Sequence, residues 1–266
     1  MVSTSATFAG PQYYNDCLGP LWFDPFAADL VQRLPADPAG AVLEIACGTG
    51  LVTRWLRERL SGSVRLVATD LSKVMLDFAR AKLEALKHIE WHAADALELP
   101  FDDSEFVAVV CGFGIMFVPD RQAALEEARR VVAKGGILLF NVWDRIEKNP
   151  HALVAAEALE AMFPGNPEMK YRTPYDMGDP DLLRQLLAGA GFRATCIETK
   201  RLPVAGADPR SIATGLIRGT PRAALIEQRH VSLEVAIERA TDALTIAGGD
   251  PYSGQAQAVI VEAVAI

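Results

Sequence analysis

The chain has 266 residues, half of them hydrophobic, and a formal net charge of −8, enough apolar material for the core of one large α/β domain but cramped for a second. An acidic field of that size repels polyanions, so nucleic acid and anionic membrane surfaces are disfavoured partners. No basic stretch followed by an apolar one opens the chain and no apolar run reaches the roughly 20 residues that span a bilayer, so the expectation is a cytoplasmic protein without a membrane span.

Tyr13, Tyr14, Trp22, Phe23 and Phe26 give the first 35 residues an aromatic pattern of their own, with Asp24-Pro25 as a helix opening and Pro35 as its end. From Ala41 onward, apolar runs alternate with segments of helical period, the signature of βαβ units and a mostly parallel sheet. Strands are predicted at 41–46, 64–69, 89–92, 106–111 and 136–143. Helices are predicted over 51–60, from a Ser72 cap toward Leu86, and over 120–132, the last closed by Lys134-Gly135-Gly136. Residues 144–177, rich in Pro, Gly, Met and aromatics, read as a partly helical cap. Asp179-Pro180 opens a helix ending near Gly191, strands follow at 192–202 and 257–266, and 203–254 is an alanine-rich helical excursion between them.

Cys17, Cys47, Cys111 and Cys196 are widely spaced, with neither a CxxC pair nor a histidine at ligand spacing, and read as reduced thiols. Cys47 and Cys111 fall at strand ends, where cysteine serves as a small hydrophobe.

Three motifs carry chemistry. Val42 through Ile45 is an apolar strand that runs through Ala46 and Cys47 into Gly48-Thr49-Gly50 and then a helix, so backbone can pass close to a ligand and the helix start presents unpaired N–H groups. A side chain at Gly48 or Gly50 is expected to fill space that a nucleoside needs. Asp70 ends the next strand about twenty residues later, where a Rossmann carboxylate meets ribose hydroxyls. After the third strand, Asp95 can accept a hydrogen bond from an adenine amino group, whereas Asp102 and Asp103 read as solvated loop residues.

These stretches, with Thr69-Asp70-Leu71-Ser72, Met75-Leu76, Asp95-Ala96-Leu97, Leu99-Pro100-Phe101 and Arg130 through Gly136, resemble the class I S-adenosylmethionine-dependent methyltransferases, in particular the ubiquinone/menaquinone-biosynthesis-like small-molecule group. The resemblance is close over about residues 40 to 145 and looser over Tyr14 to Phe26, which resembles the lid of these enzymes. It implies an α/β, Rossmann-like, seven-stranded, mostly parallel sheet with helices on both faces and the last strand antiparallel. It also implies one domain over 1–266, with an N-terminal lid (1–35), a cofactor-binding core (36–145) and cap insertions at 146–178 and 203–254. S-adenosylmethionine is the implied cofactor and S-adenosylhomocysteine its product. Glu44, Ala46 and Gly48, with Cys47, Thr49 and Gly50 of the same motif, are implied to shape the methionine side of the pocket and Asp70 to bind the ribose. Leu71 and Met75 would flank the adenine, Asp95 and Ala96 would read its edge, and Cys111 and Gly112, followed by Phe113, would offer backbone to the sulfonium amino acid.

A dinucleotide fingerprint wants a third glycine where Thr53 stands, which disfavours an NAD(P) oxidoreductase. A non-catalytic adenosylmethionine-binding protein shares every cofactor motif and stays open. For a small-molecule acceptor, Tyr14, Trp22, Met116, Trp143 and His151 are the candidate contacts, with Tyr13, Phe113 and Phe117 as further aromatic walls; core packing is an equal reading for each alone. His151 and Tyr14 are the first choices should a general base be needed, ahead of His92 and His230. No metal site is expected, since Asn141 and Asp144 lie near a suitable place but too few ligands join them. The oligomeric state is not written in the sequence, and a homodimer is carried as the working expectation.

Overall fold

The computed structural model describes residues 10–166, 169 and 172–266; the reading that the chain opens without a leader concerns residues 1–9, outside that set. A turn of helix, α1 (Pro11–Tyr13), runs into a π-helical stretch (Tyr14–Phe23) and then α2 (Asp24–Gln32). The alternation that follows is β1 (Ala41–Glu44), α3 (Leu51–Arg59), β2 (Leu66–Asp70), α4 (Lys73–Lys82), β3 (Ile89–Ala93), β4 (Phe106–Gly112), α5 (Arg121–Val131) and β5 (Val132–Trp143). Then come α6 (Pro150–Met162), α7 (Pro180–Gly189), β6 (Phe192–Ala207), α8 (Pro209–Arg218), α9 (Arg222–Glu227), α10 (Leu233–Gly248) and β7 (Tyr252–Ala265).

The expected helix starts are capped as their residue types suggest. Ser72 Oγ accepts from Met75 N at 3.4 Å, Asp120 Oδ1 from Ala123 N at 3.0 Å and Asp179 Oδ1 from Asp181 N at 2.9 Å, each satisfying an N–H that the helix leaves unpaired. Gly135 takes the left-handed turn expected of it, φ 78°. Four boundaries differ, the first at β5, which starts at Val132 instead of 136. α4 stops at Lys82 instead of near Leu86, β6 runs on to Ala207, and β7 starts at Tyr252.

The seven strands lie in the order β3-β2-β1-β4-β5-β7-β6. β3 through β5 are parallel, while β7 runs antiparallel to β5 with Phe140 opposite Val261, which is the Rossmann-like sheet with a reversed last strand that was expected. The chain leaves β1 for β2 and β3 on one side and returns to β4 on the other. The carboxyl ends of β1 and β4 therefore form a switch point, where open α/β sheets bind ligands.

The chain gathers into two compact units. A sheet unit holds residues 26–145, 173–200 and 258–266; a helical unit holds the described residues of 10–25, 146–172 and 201–257. In the helical unit α10 packs on α6 and α8, and α8 on the π-helical stretch. There Asn149, fully buried, accepts from Gln257 N at 2.8 Å and donates to Gln257 O at 3.1 Å. Among the described residues no helix is long and apolar enough to cross a membrane.

In the sheet unit, the buried Arg57 guanidinium at the end of α3 donates to the carbonyls of Leu60 (2.9 Å), Val64 (3.0 Å), His88 (3.0 Å) and Ser61. One cation thus ties α3 to the approaches of β2 and β3. Replacing Arg57 by Leu keeps the bulk but strands these carbonyls, and charged hydrogen bonds of this kind are worth about 3 kcal/mol together after solvent exchange. Urea unfolding of Arg57→Leu is expected to show a loss of that order; a loss below about 1 kcal/mol would show that the carbonyls find other partners.

Candidate active site

The β1 turn is built from backbone. Ile45 N donates to Val110 O at 2.9 Å, Cys47 N to Thr69 O at 2.8 Å and Gly50 N to Cys47 O at 2.9 Å. Ala46, Gly48 and Gly50 all take left-handed backbone, at φ 54°, 55° and 80°, and for Ala46 that conformation costs about 1–2 kcal/mol. The two glycines do different work. A Cβ on Gly48 would meet no described atom within 4 Å, whereas one on Gly50 would lie 2.9 Å from Leu83 Cδ1 and 3.1 Å from Ala79 Cβ. Gly48 thus faces open space, while Gly50 is packed closely against Leu83 and the last turn of α4.

Asp70 links this turn to the next strand. Its Oδ2 accepts from Gly48 N at 2.8 Å and its Oδ1 from Ser72 N at 2.7 Å, while its carbonyl accepts from Ala94 N at 3.1 Å. Each carboxylate oxygen keeps a further lone pair for a hydroxyl. Burial raises the Asp70 pKa and the two N–H donors oppose it. Asp95 Oδ1 accepts from Leu97 N at 2.9 Å, closing a tight turn that includes Ala96. That loop is clamped to α5, where Glu127 accepts from Leu99 N at 2.8 Å and Arg130 donates to Leu99 O (2.9 Å) and Phe101 O (2.7 Å). Asp103, read as solvated, is largely exposed and pairs with Arg130 at 2.8 Å. Leu71 is 64% exposed, an open apolar surface beside Asp70, while Met75 is buried beneath the first turn of α4.

Several buried polar side chains end in atoms without a hydrogen-bond partner: Glu44 Oε2, Thr49 Oγ1 and Asn141 Nδ2. All three lie at the carboxyl ends of β1 and β5 or in the turn between β1 and α3. Leaving such a group unpaired costs about 1–3 kcal/mol. Glu44 is 1% exposed, and burial, followed by repulsion from Asp70, pushes its carboxyl up to about 8 while Thr53 pulls it back. The Cys47 and Cys111 thiols are also pushed up by burial, Cys111 to about 12, which holds them protonated and unreactive. Among the described residues no three His, Cys, Asp or Glu side chains gather as a metal site.

Beyond the tips of β4 and β5 lies an aromatic cluster. Phe113 stacks on Trp143 at 4.2 Å, Phe26 meets their edges at 5.6 and 5.7 Å, and Tyr175 lies 6.3 Å from Trp143. Met116 is buried and Phe117 half exposed. Phe113 is left-handed, φ 55°, and its N–H is shared between Asn141 O (3.1 Å) and Asn141 Oδ1 (2.9 Å). Its amide is thereby spent within the protein. A Cβ on Gly112 would lie 2.6 Å from Val52 Cγ2, so glycine there lets β4 and α3 approach. Sequence reasoning did not place Phe26, Tyr175 or Asn141 in this group, and the spacing of strand-end residues offered a hint only for Asn141.

In the helical unit, Tyr14 stacks on Phe23 at 4.6 Å and Trp22 on His151 at 4.3 Å. Trp22 and His151 are both buried, and His151 Nδ1 lies 3.3 Å from Gln255 O. Burial lowers the His151 pKa to about 4. The imidazole is neutral at physiological pH and a weak base.

Comparison with known proteins agrees with this geometry. The family profile described as "Methyltransferase domain" matches residues 43–140, from inside β1 to inside β5. A demethylmenaquinone methyltransferase of Alkalihalophilus pseudofirmus is 36% identical over 110 residues, 41% of this chain and 47% of the relative. The chain therefore spans about half the length of the curated relatives it matches. A Bacillus halodurans C-125 protein assigned as a methyltransferase shares the fold with TM-score 0.59 at 20% identity, covering 90% of this chain and 97% of that one. The cyclase SpnF shares it at TM-score 0.57 and 18% identity, over 91% and 81%. Residues 43–140 are thus similar to a methyltransferase domain, and the sheet that holds them has the Rossmann-like fold of solved methyltransferases. Within that class, the similarity of this segment is to demethylmenaquinone methyltransferases, the menaquinone- and ubiquinone-type group that the sequence motifs resemble.

The two turn glycines separate packing from ligand space. Gly48→Ala is expected to lose about 1 kcal/mol of stability from backbone strain alone, and Gly50→Ala to lose more, about 2–4 kcal/mol, by adding an overpacked contact with Leu83 and Ala79. Equal losses in urea unfolding would contradict the distinction.

Proposed function

We propose that the chain transfers the methyl group of S-adenosylmethionine to a small-molecule acceptor by direct in-line displacement. The observation that carries this reading is the set of unpaired polar atoms on Glu44, Thr49 and Asn141 at the carboxyl ends of β1 and β5 and in the turn of Gly48, the first two within the segment matched by the methyltransferase profile. In the bound state the sulfonium supplies an activated methyl group with a good leaving group, so no covalent enzyme intermediate is required. Asp70 accepts from the ribose hydroxyls, with Gly48 N and Ser72 N holding its orientation. Leu71 and Met75 flank the adenine, and Asp95 and Ala96 read its edge from the loop that Arg130 and Glu127 clamp. Ala46, Cys47, Thr49, Gly50, Cys111 and Gly112 form the walls of the methionine side, next to Glu44.

Phe113, Met116 and Trp143, with Phe26 and Tyr175, supply an apolar surface that excludes water from the transfer. Alignment and water exclusion of this kind supply about 7–11 kcal/mol of a barrier. Tyr14, Trp22 and His151, also candidate acceptor contacts on the sequence, lie together in the helical unit; His151 is a neutral ring, since its pKa of about 4 makes it a poor general base at pH 7. The name of the curated relatives suggests an apolar aromatic acceptor of the quinone class. A net charge of −8 and four free cysteines suit a protein that works away from nucleic acid in a reducing, cytoplasmic setting. Because a cyclase shares the fold, a nucleoside-binding protein without methyl transfer is the second reading, and turnover of labelled S-adenosylmethionine with a panel of quinones, phenols and amines separates the two.

Calorimetry with S-adenosylhomocysteine tests the site. Ligand-free protein is expected to bind it, Asp70→Asn to bind about tenfold to a hundredfold more weakly through loss of charged hydrogen bonds, and Gly48→Ala to lose binding while staying folded. Failure of the wild-type protein to bind either adenosyl compound would overturn the proposal.

A further inference from the structure

The loop between β3 and β4 is anchored on both sides of Asp95. On the near side, Ala94 N donates to the Asp70 carbonyl at 3.1 Å. On the far side, Glu127 of α5 accepts from Leu99 N at 2.8 Å, and Arg130, one turn further along α5, donates to Leu99 O at 2.9 Å and Phe101 O at 2.7 Å. Residues 95–98 stand between these anchors and close on themselves, with Glu98 N donating to Asp95 O at 3.1 Å and Leu97 N to Asp95 Oδ1 at 2.9 Å. A turn this short between two fixed ends has little freedom, so the place of the Asp95 carboxylate follows from the anchors.

The far anchor is demanding in its chemistry. Arg130 Nε and Nη2 fork onto the two Glu127 oxygens at 2.9 and 2.7 Å, Nη2 also serves Leu99 O, and Nη1 serves Phe101 O and, at 2.8 Å, Asp103 Oδ1. These contacts take up all the N–H donors of a planar guanidinium. A lysine, a point charge on a flexible stem, cannot reproduce them. Glu127 Oε1 is shared between Leu99 N and Arg130, so each member of the pair holds the other in place. Beyond the loop, Ser104 N donates to the Arg130 carbonyl at 2.8 Å, and the Phe101 ring lies edge-on to Phe106 at 5.1 Å. Glu127 and Arg130 thus grip the loop by its backbone, four residues past Asp95, and act on that carboxylate through the chain.

We propose that Glu127 and Arg130 are positioning residues for the base: by fixing where the loop returns, they hold the Asp95 carboxylate at the 6-amino group, so that selectivity for adenine over a 6-oxopurine is set on α5, outside the pocket. This rests on the adenosyl reading above and adds the residues that set its base specificity. A 6-aminopurine offers N–H donors at the edge where a 6-oxopurine presents oxygen lone pairs. A carboxylate held at that edge accepts from the first and is opposed by the second, whereas a loop free to retreat meets both through water. Discrimination therefore depends on placement, while the ribose contacts at Asp70 are the same for both bases.

Calorimetry of S-adenosylhomocysteine against S-inosylhomocysteine, which share ribose and tail and differ in the 6-position of the purine, tests this. The unaltered protein is expected to prefer the adenine ligand about tenfold to a hundredfold, the range of a hydrogen bond to a charged group. Arg130→Lys, which keeps the charge and loses the fork, is expected to cut that preference at least about fivefold by weakening S-adenosylhomocysteine, with S-inosylhomocysteine changed less than about threefold. Glu127→Ala is expected to do the same, and it decides the matter should Arg130→Lys not fold. Glu127→Gln, which still accepts from Leu99 N, is expected to restore most of the preference. Equal weakening of both nucleosides in the variants would make the pair a support of the fold alone and overturn the proposal. A preference that survives in the variants, or is absent from the unaltered protein, would overturn it too while leaving the adenosyl site standing. Failure of the unaltered protein to bind either nucleoside would bring down the site itself, and this inference with it.

Discussion

The hydrogen bond from Gly48 N to the Asp70 carboxylate, 2.8 Å long, is the contact on which the shape of the site depends. It fixes the turn after β1 against the tip of β2, and the second Asp70 oxygen holds the start of α4 through Ser72. The Asp70 carbonyl takes the Ala94 N–H, which brings the loop after β3 to the same place. Three strand tips thus converge on one residue beside the switch point of a parallel sheet, and the backbone strain at Ala46 and Phe113 is tolerated because ladder hydrogen bonds on both sides determine the chain path.

Around that frame the protein keeps polar atoms unpaired that a purely structural core would have satisfied. Three of them, from Glu44, Thr49 and Asn141, lie at the carboxyl ends of β1 and β5 or in the turn before α3, and each lowers the stability of the protein. Binding sites in enzymes commonly trade stability in that direction. The aromatic cluster of Phe26, Phe113, Trp143 and Tyr175 packs beyond the tips of β4 and β5.

Much of this was legible in the sequence. The apolar run of β1 ends in a glycine turn, and the change from a two-residue to a helical period marks each βα junction; Ser72, Asp120 and Asp179 cap helices because side-chain oxygens at those positions reach unpaired N–H groups. What escaped was set by tertiary contact. Gly50 looks the same as Gly48 in the motif, and only the approach of Leu83 and Ala79 shows that it serves packing. The π-helical stretch from Tyr14 to Phe23, with Pro20 inside it, follows neither the α-helical nor the strand period. Phe26, Asn141 and Tyr175 come from three distant segments, so no local pattern could join them.

The gathering of 146–172 and 201–257 with the N-terminal stretch into one helical unit likewise depends on contacts between segments far apart in the chain. The central claim concerns the sheet unit alone. It is tested most directly by a crystal structure of the S-adenosylhomocysteine complex. The account predicts the ribose hydroxyls on the Asp70 carboxylate and the amino-acid tail running past Gly48 to Glu44; a nucleoside bound elsewhere, or one whose tail points away from Glu44, would contradict it.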